Sequence, residues 1–395
     1  MFSVRKNLPI TLMLFLQYTL WGAWYVTLGT YLGQTLQFTG TQIGLVYGTF
    51  ALSAIFSPLI SGVLADHLYA PRKVLASLHL LGVIFLFFIV QSETFTDVYL
   101  LIFLYALCYM PTIALTNSIA MANLDDPESD FPKVRVMGTL GWILVGWVVS
   151  FLEIEASYYP IFIALGLSLL MVLNCWWLPK EVNTSAKSSV SFKTLIGLDA
   201  LMLLKERAFL TLMLASLLIS IPLSFYFGFT NLFLNDIGVS YPAAKMTFGQ
   251  VSEILFMLLL PVALRKFGIK WIVLAAMLAW ALRYLSFSLG ADNNFALLML
   301  GILLHGICYD FFFVAGQIYV NQSAPSRLRN SAQGLLTQFT YGIGMFLGTW
   351  LSGLTVTYFT SENQYHWQPI WLVPAALSLA VAVGFYFIFP SIKNK

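Results

Sequence analysis

The chain has 395 residues, of which 59% are hydrophobic and only 9% are charged. Soluble domains carry about 25% charged residues, so this composition excludes a water-soluble enzyme or signalling domain and indicates a helical membrane protein. The net charge of +3 is small, and nothing in it suggests nucleic acid as a partner.

Apolar runs recur along the whole chain, each long enough to cross about 30 Å of hydrocarbon at about 1.5 Å per residue. The first, from Leu8, follows Arg5 and Lys6 in the manner of a secretory signal. It is too long for one and eleven further runs follow, so it reads as an uncleaved first helix. Twelve spans are expected, at 8–31, 42–65, 74–90, 98–122, 134–152 and 158–178, then at 208–234, 243–264, 271–289, 295–320, 329–358 and 369–390. The long connection at 179–207 opens with the Ser- and Lys-rich NTSAKSSVS and continues as the amphipathic KTLIGLDALMLLKER, expected as an interfacial helix. It divides the chain into a six-helix bundle at 1–178 and a second at 208–395.

Basic residues give the orientation. With a cytoplasmic amino terminus, the inside segments hold seventeen of the twenty Lys and Arg, the outside loops hold only Lys245, and Arg135 and Arg283 lie within spans. Both termini are therefore expected in the cytoplasm. A weak internal repeat supports the division: Arg72-Lys73 recurs as Arg265-Lys266, Arg135 opens span five as Arg329 opens span eleven, and Cys108-Tyr109 recurs as Cys308-Tyr309. Two parallel six-helix halves resemble the internal symmetry of the major facilitator superfamily, in which substrate binds between the halves near the membrane midplane. Cys108, Cys175 and Cys308 all fall in apolar runs without paired spacing, which favours packing over metal or disulfide chemistry.

After the second span comes GVLADHLYAPRKV. It resembles the superfamily's loop signature, with Gly62 allowing close helix contact and Asp66, Arg72 and Lys73 forming an inward gate latch; the plainer alternative is a set of anchoring charges. Four ionisable residues lie inside spans: Arg135, Glu253, Arg283 and Asp310. Intramembrane charges are functional candidates by default, with buried ion pairing as the structural alternative. Arg135, Thr139 and Trp142 put a cation, a hydroxyl and a ring on one helix face. Gln250 and Glu253, three apart in MTFGQVSEILFMLLL, share another. Arg283 in AWALRYL is expected to be structural, as a partner for a carboxylate in the second half. In LLHGICYDFFFVAG, His305 and Tyr309 share a face while Asp310 sits about 100° around from Tyr309, so the three can border one cavity without meeting at one atom. His305 reads equally well as a neutral core histidine.

The chemistry that Glu253 and Asp310 allow is proton coupling, because desolvation and ligand binding both move the proton affinity of a carboxyl group. Trp21, Trp24, Trp142, Phe227 and Tyr309 stand in mid-span beside polar residues or glycine. Rings beside a few hydrogen-bonding groups suit a ligand with a flat base and a polar sugar, with packing as the alternative for each.

Taken in order, LWGAWYVTLGTYL, YMPTIALTNSIA, DFPKVRVMGTLGW, IGLDAL, QVSE, RKFGIK, GICYDFF and SAQGL resemble the nucleoside:proton symporters of the major facilitator superfamily almost end to end. The resemblance implies a twelve-helix, all-α transporter that brings nucleosides and protons across the bacterial inner membrane, a monomer in the lipid bilayer with no cofactor. It places Arg135, Thr139 and Trp142 on the amino-terminal side of the pocket and Gln250, Glu253, Tyr309 and Asp310 on the other. His305 is a further candidate for ligand contact, and of the two acids Asp310 is the expected proton carrier, with Glu253 bearing on substrate. Position 142 is often phenylalanine in the family, and 305 is tyrosine in some members. Span seven departs from the pattern: IPLSFYFGFTN has Ser224 and Phe227 where relatives carry amide side chains, with Asn231 one turn on. A sugar, glycoside or drug-like solute is therefore the alternative substrate. No HExxH or GxSxG motif supports an intramembrane enzyme.

Overall fold

The computed structural model describes residues 4–67, 70–179 and 197–390, with the side chains of 4–6, 58–67 and 128 outside the described set. The first part holds α1 (Val4–Trp24), a short α2 (Leu28–Thr30) continued by a π-helical turn at Tyr31–Thr35, α3 (Gly40–His67), α4 (Pro71–Val90), α5 (Phe95–Asn123), α6 (Pro127–Phe151) and α7 (Tyr159–Trp177). A 3-10 helix at Leu198–Lys205 leads into α8 (Arg207–Asp236), α9 (Pro242–Leu289), α10 (Phe295–Leu303), α11 (His305–Tyr309), a π-helical turn at Asp310–Val314 and α12 (Ala315–Ser323). After a 3-10 turn at Ser326–Leu328 come α13 (Arg329–Thr337), a π-helical stretch at Gln338–Gly344, α14 (Met345–Tyr358), and α15 (Trp367–Ile388). Between α14 and α15, β1 (Thr360–Ser361) pairs antiparallel with β2 (Gln364–Tyr365), Thr360 opposite Tyr365.

Local sequence sets the helix starts. Thr94 accepts from the Asp97 amide at 3.2 Å, Asp126 from that of Ser129 at 3.3 Å and Asn294 from that of Leu297 at 3.3 Å, each satisfying a backbone donor that has no partner within its helix. Proline opens α4, α6, α7 and α9, where its missing N–H costs nothing.

Among the described residues, eight helices are long and apolar enough to cross a membrane. One of them, α9, is 48 residues long and carries two of the expected spans; they meet at Gly268, whose φ of 73° a side chain would resist. The expected spans at 42–65 and 329–358 lie on helical residues, and that at 8–31 is helical apart from a turn at 25–27, but none is among the eight. Apolar side chains face outward, as Leu258 does at 73% exposure, which suits lipid and would be costly in water. Exposed Tyr158 and Tyr159 at one end of α7 and Trp176 and Trp177 at the other bracket a 19-residue helix of about 28 Å, the signature of ring side chains at two membrane interfaces.

The chain divides into two compact units, one of Met1–Gln37 with Leu52–Phe192 and one of Phe38–Ala51 with Lys193–Lys395. In the first, Met13, Leu14, Leu75, Ile119, Val134 and Met171 close an apolar core. Beside it runs a buried polar chain: Gln17 Nε2 donates to Thr112 Oγ1 (2.7 Å), Gln17 Oε1 meets His79 Nε2 (3.3 Å), and His79 Nδ1 meets Ser168 Oγ (3.0 Å). In the second unit the aromatic core is built on α8, with Phe233 edge-on to Trp371 at 5.3 Å and Trp371 stacked on Tyr284 at 5.7 Å. The first part of α3, up to Ala51, belongs here as well, and the Thr41 amide donates to Thr357 Oγ1 of α14 at 2.8 Å. The described end of the linker is the eight-residue 3-10 helix, with Leu198 and Leu201 exposed in register on one face and Ala200 buried.

Candidate functional site

The geometry of the second unit turns on one break in a helix. At Leu304 the run from Phe295 loses its regular ladder, and Ser252 of α9 enters the gap: its hydroxyl donates to Leu303 O (2.7 Å) and accepts from the Gly306 amide (2.9 Å). A side chain inserted into the ladder is a recognised cause of a kink. Gly306 makes the approach possible, because a Cβ there would stand 2.5 Å from Ser252 O and 2.7 Å from Glu253 N. The crossing delivers His305 to Glu253, with Nε2 to Oε2 at 3.8 Å.

His305 is the middle of a line of polar groups. Arg283 Nη1 donates to His305 Nδ1 at 2.9 Å, and the guanidinium lies 3.6 Å from the centre of the Tyr226 ring. Tyr226 also stacks on His305, centroids 5.2 Å apart. The Tyr309 ring is 5.7 Å from that of His305, as their shared face predicts, and its hydroxyl meets Tyr341 OH at 2.6 Å. Glu253 keeps 28% of its side chain exposed, and Gln250, Phe227 and Tyr309 are half-buried. Asp310 opens a π-helical turn and is fully enclosed; neither carboxyl oxygen has a hydrogen-bond partner among the described residues. Such turns recur at functional positions.

Two expectations need correction. Arg283 was expected to meet a carboxylate; its hydrogen-bonded partner is His305, and aromatic rings surround the remainder of the guanidinium. Ser224 is 1% exposed and turned into helix packing, its hydroxyl donating to Ser220 O (2.9 Å) and lying against Met345 of α14, so it presents no polar group to a ligand in this conformation. Asn231 is likewise buried, with its amide 3.9 Å from Met246 Sδ.

In the first unit Arg135, Thr139 and Trp142 are half-buried along α6. The Arg135 guanidinium sits 3.8 Å above the Tyr18 ring of α1. Trp142 lies against Gly22 so closely that a Cβ there would be 2.9 Å from the indole. Trp21 packs edge-on to Tyr109 at 4.7 Å, whereas Trp24 is buried against Tyr105 at 5.3 Å. Of the expected latch, the surroundings of Gly62 and the side chain of Asp66 lie outside the described set. Arg72 Nη1 donates to Leu178 O at 3.2 Å, where a cation suits the carboxyl end of α7, and Lys73 is exposed.

Sequence reasoning overlooked Ser252, Tyr226 and Tyr341. The serine sits between Gln250 and Glu253 in QVSE, and a small hydroxyl residue facing a distant glycine is its only signal.

Long apolar helices, with acidic, basic and aromatic side chains gathered inside them, define a multi-pass membrane protein. The fold is that of the major facilitator superfamily: the crystal structure of nucleoside transporter NupG matches with a TM-score of 0.92 over 98% of this chain and 99% of that one, at 34% identity. A family model described as "Nucleoside H+ symporter" matches residues 4–394. Xanthosine permease of Escherichia coli (strain K12) is 36% identical, covering 98% of this chain and 96% of its own length. The transporter YegT of the same organism is 39% identical, with 99% and 96% covered. This chain belongs to the nucleoside:proton symporter family.

Proposed function

We propose that this chain carries a nucleoside together with protons into a bacterial cell, as a monomer of the inner membrane with both termini cytoplasmic, exposing its site to one side at a time. Family membership supports the substrate class, and the distribution of Lys and Arg supports the orientation. The observation that carries the assignment of roles is the contrast between two carboxyl groups in one unit: Glu253 is partly open and reaches toward a histidine, while Asp310 is enclosed.

A carboxylate taken out of water without a partner is costly, and the neutral acid far less so. An enclosed acid that gains and loses access to water therefore suits a proton carrier, which is the role assigned to Asp310. Glu253, with Gln250, His305 and Tyr309 beside it, suits hydrogen bonding to substrate, and Phe227 offers a ring. Arg135, Thr139 and Trp142 are assigned to substrate as well, and Arg72 and Lys73, with Gly62 and Asp66, to gating.

Uptake of labelled nucleosides into proteoliposomes, with and without an imposed proton gradient, tests the reading. Gradient-driven uptake that is lost in Asp310→Asn and weakened in affinity in Glu253→Gln supports it; uptake indifferent to the gradient removes the coupling. A second reading, a nucleoside derivative or another glycoside, is favoured by one observation: Ser224 and Asn231 both spend their polar groups within the helix packing, so α8 offers a ring but no free amide. Competition by nucleosides, bases and sugars for the purified protein separates the two.

A further inference from the structure

Arg283, wholly buried, is absent from the roles assigned above. A guanidinium carries only donors and never gives up its charge in a protein, so any ring nitrogen it bonds must be an acceptor. With Arg283 Nη1 2.9 Å from His305 Nδ1, the lone pair of that nitrogen is taken, and the proton of the neutral ring must reside on Nε2. Nε2 is the atom that faces Glu253. Tyr226 holds the arrangement flat, with Arg283 on its ring at 3.6 Å and His305 stacked at 5.2 Å. Tyr309, from the same turn as His305, bounds the ring on another side.

We infer that Arg283 is a positioning residue that fixes the tautomer of His305, so that the histidine presents a donor, Nε2–H, beside the Glu253 carboxylate. The 3.8 Å between Nε2 and Oε2 is too long for a good direct hydrogen bond, and Glu253 is partly exposed. A ligand hydroxyl fits this pair, accepting from His305 while donating to Glu253. A ligand group that only donates, such as an ammonium, leaves Nε2–H without an acceptor. A tyrosine at 305 would remove this polarity, since its hydroxyl donates or accepts as it rotates. The role in substrate recognition rests on the proposed function; the tautomer does not.

The test uses full-length protein labelled with 15N at its four histidines in nanodiscs, with the His305 signals assigned by their loss in His305→Gln. The expected wild-type spectrum has a bare Nδ1 and a protonated Nε2. Arg283→Met should lose this fixed pattern, and Arg283→Lys, which keeps a donor-only head, should retain it. In uptake assays Arg283→Met should raise KM about tenfold or more with kcat little changed, as expected when ground-state and transition-state binding are weakened alike, with Arg283→Lys recovering most of the loss. A wild-type His305 protonated on Nδ1 overturns the inference even if Arg283→Met fails to fold. So does an Arg283→Met protein whose His305 signals or KM match wild type. Wild-type protein with the expected spectrum but no nucleoside uptake would instead sink the proposed function and leave the tautomer standing.

Discussion

Replacing Gly306 with alanine probes the helix crossing that brings His305 to Glu253. The added methyl would lie 2.5 Å from Ser252 O, 2.6 Å from Ser252 C and 2.7 Å from Glu253 N, all backbone atoms that cannot swing aside, whereas ordinary contact begins at 3.4 Å. Moving from 2.5 to 3.4 Å displaces α11 from α9 by about 0.9 Å, and overpacking of this kind costs about 1–3 kcal/mol. A misplacement near 1 Å in a binding constellation reduces rates by about 100-fold. Gly316, on α12 of the same run, is the control: a Cβ there meets nothing within 4 Å, and alanine in a helix is about 0.5–1 kcal/mol better than glycine. Unfolding midpoints in detergent and initial rates of nucleoside uptake, measured for both variants, should show Gly306→Ala folded but less stable and nearly inactive, and Gly316→Ala equal to wild type or better. Wild-type uptake by Gly306→Ala, or an equal loss in Gly316→Ala, would refute the idea that this crossing sets the site.

Ser252→Ala should cost about 1–3 kcal/mol by leaving the Gly306 amide and the Leu303 carbonyl unsatisfied at the break, read as a lower unfolding midpoint together with slower uptake. Gln17→Met removes the partner of both Thr112 and His79 in the buried polar chain of the first unit and should cost a similar amount, about 1–3 kcal/mol, in thermal unfolding while leaving the order of preference among nucleosides unchanged. Lys133→Met breaks an ion pair to Asp130 whose lysine is half exposed and should change stability by less than about 1 kcal/mol in the same assay. Asp310→Asn should abolish accumulation against a concentration gradient yet retain exchange of labelled for unlabelled nucleoside across the membrane; accumulation at the wild-type level would end its assignment as proton carrier.

The helices were readable from the residues because their signal is local. The expected span at 158–178 and the observed Tyr159–Trp177 differ by a residue or so, since Pro160 and the flanking rings mark both ends. Glu253, His305, Tyr309 and Asp310 stood out for the same reason, as polar residues in apolar runs. What escaped was decided across space. The link of Arg283 to His305 spans 22 positions and follows no helical period, and the bond of Ser252 to Gly306 spans 54. Tyr341 is one tyrosine among nineteen until its hydroxyl is found against Tyr309. The inward turn of Ser224 depends on α14, more than a hundred residues away, so the same letter in the sequence reads as a ligand contact or as packing.

The contact between Gly22 and Trp142 constrains how this scaffold can diversify. An indole at 142 fits only because the opposite helix is bare at 22, and the methyl of even an alanine would be too close. A side chain added at 22 alone forces the Trp142 ring out of its place on α6, the helix that also carries Arg135 and Thr139. A first side chain at 22 is therefore admissible only together with a smaller ring at 142, and libraries that vary position 22 alone will miss that exchange.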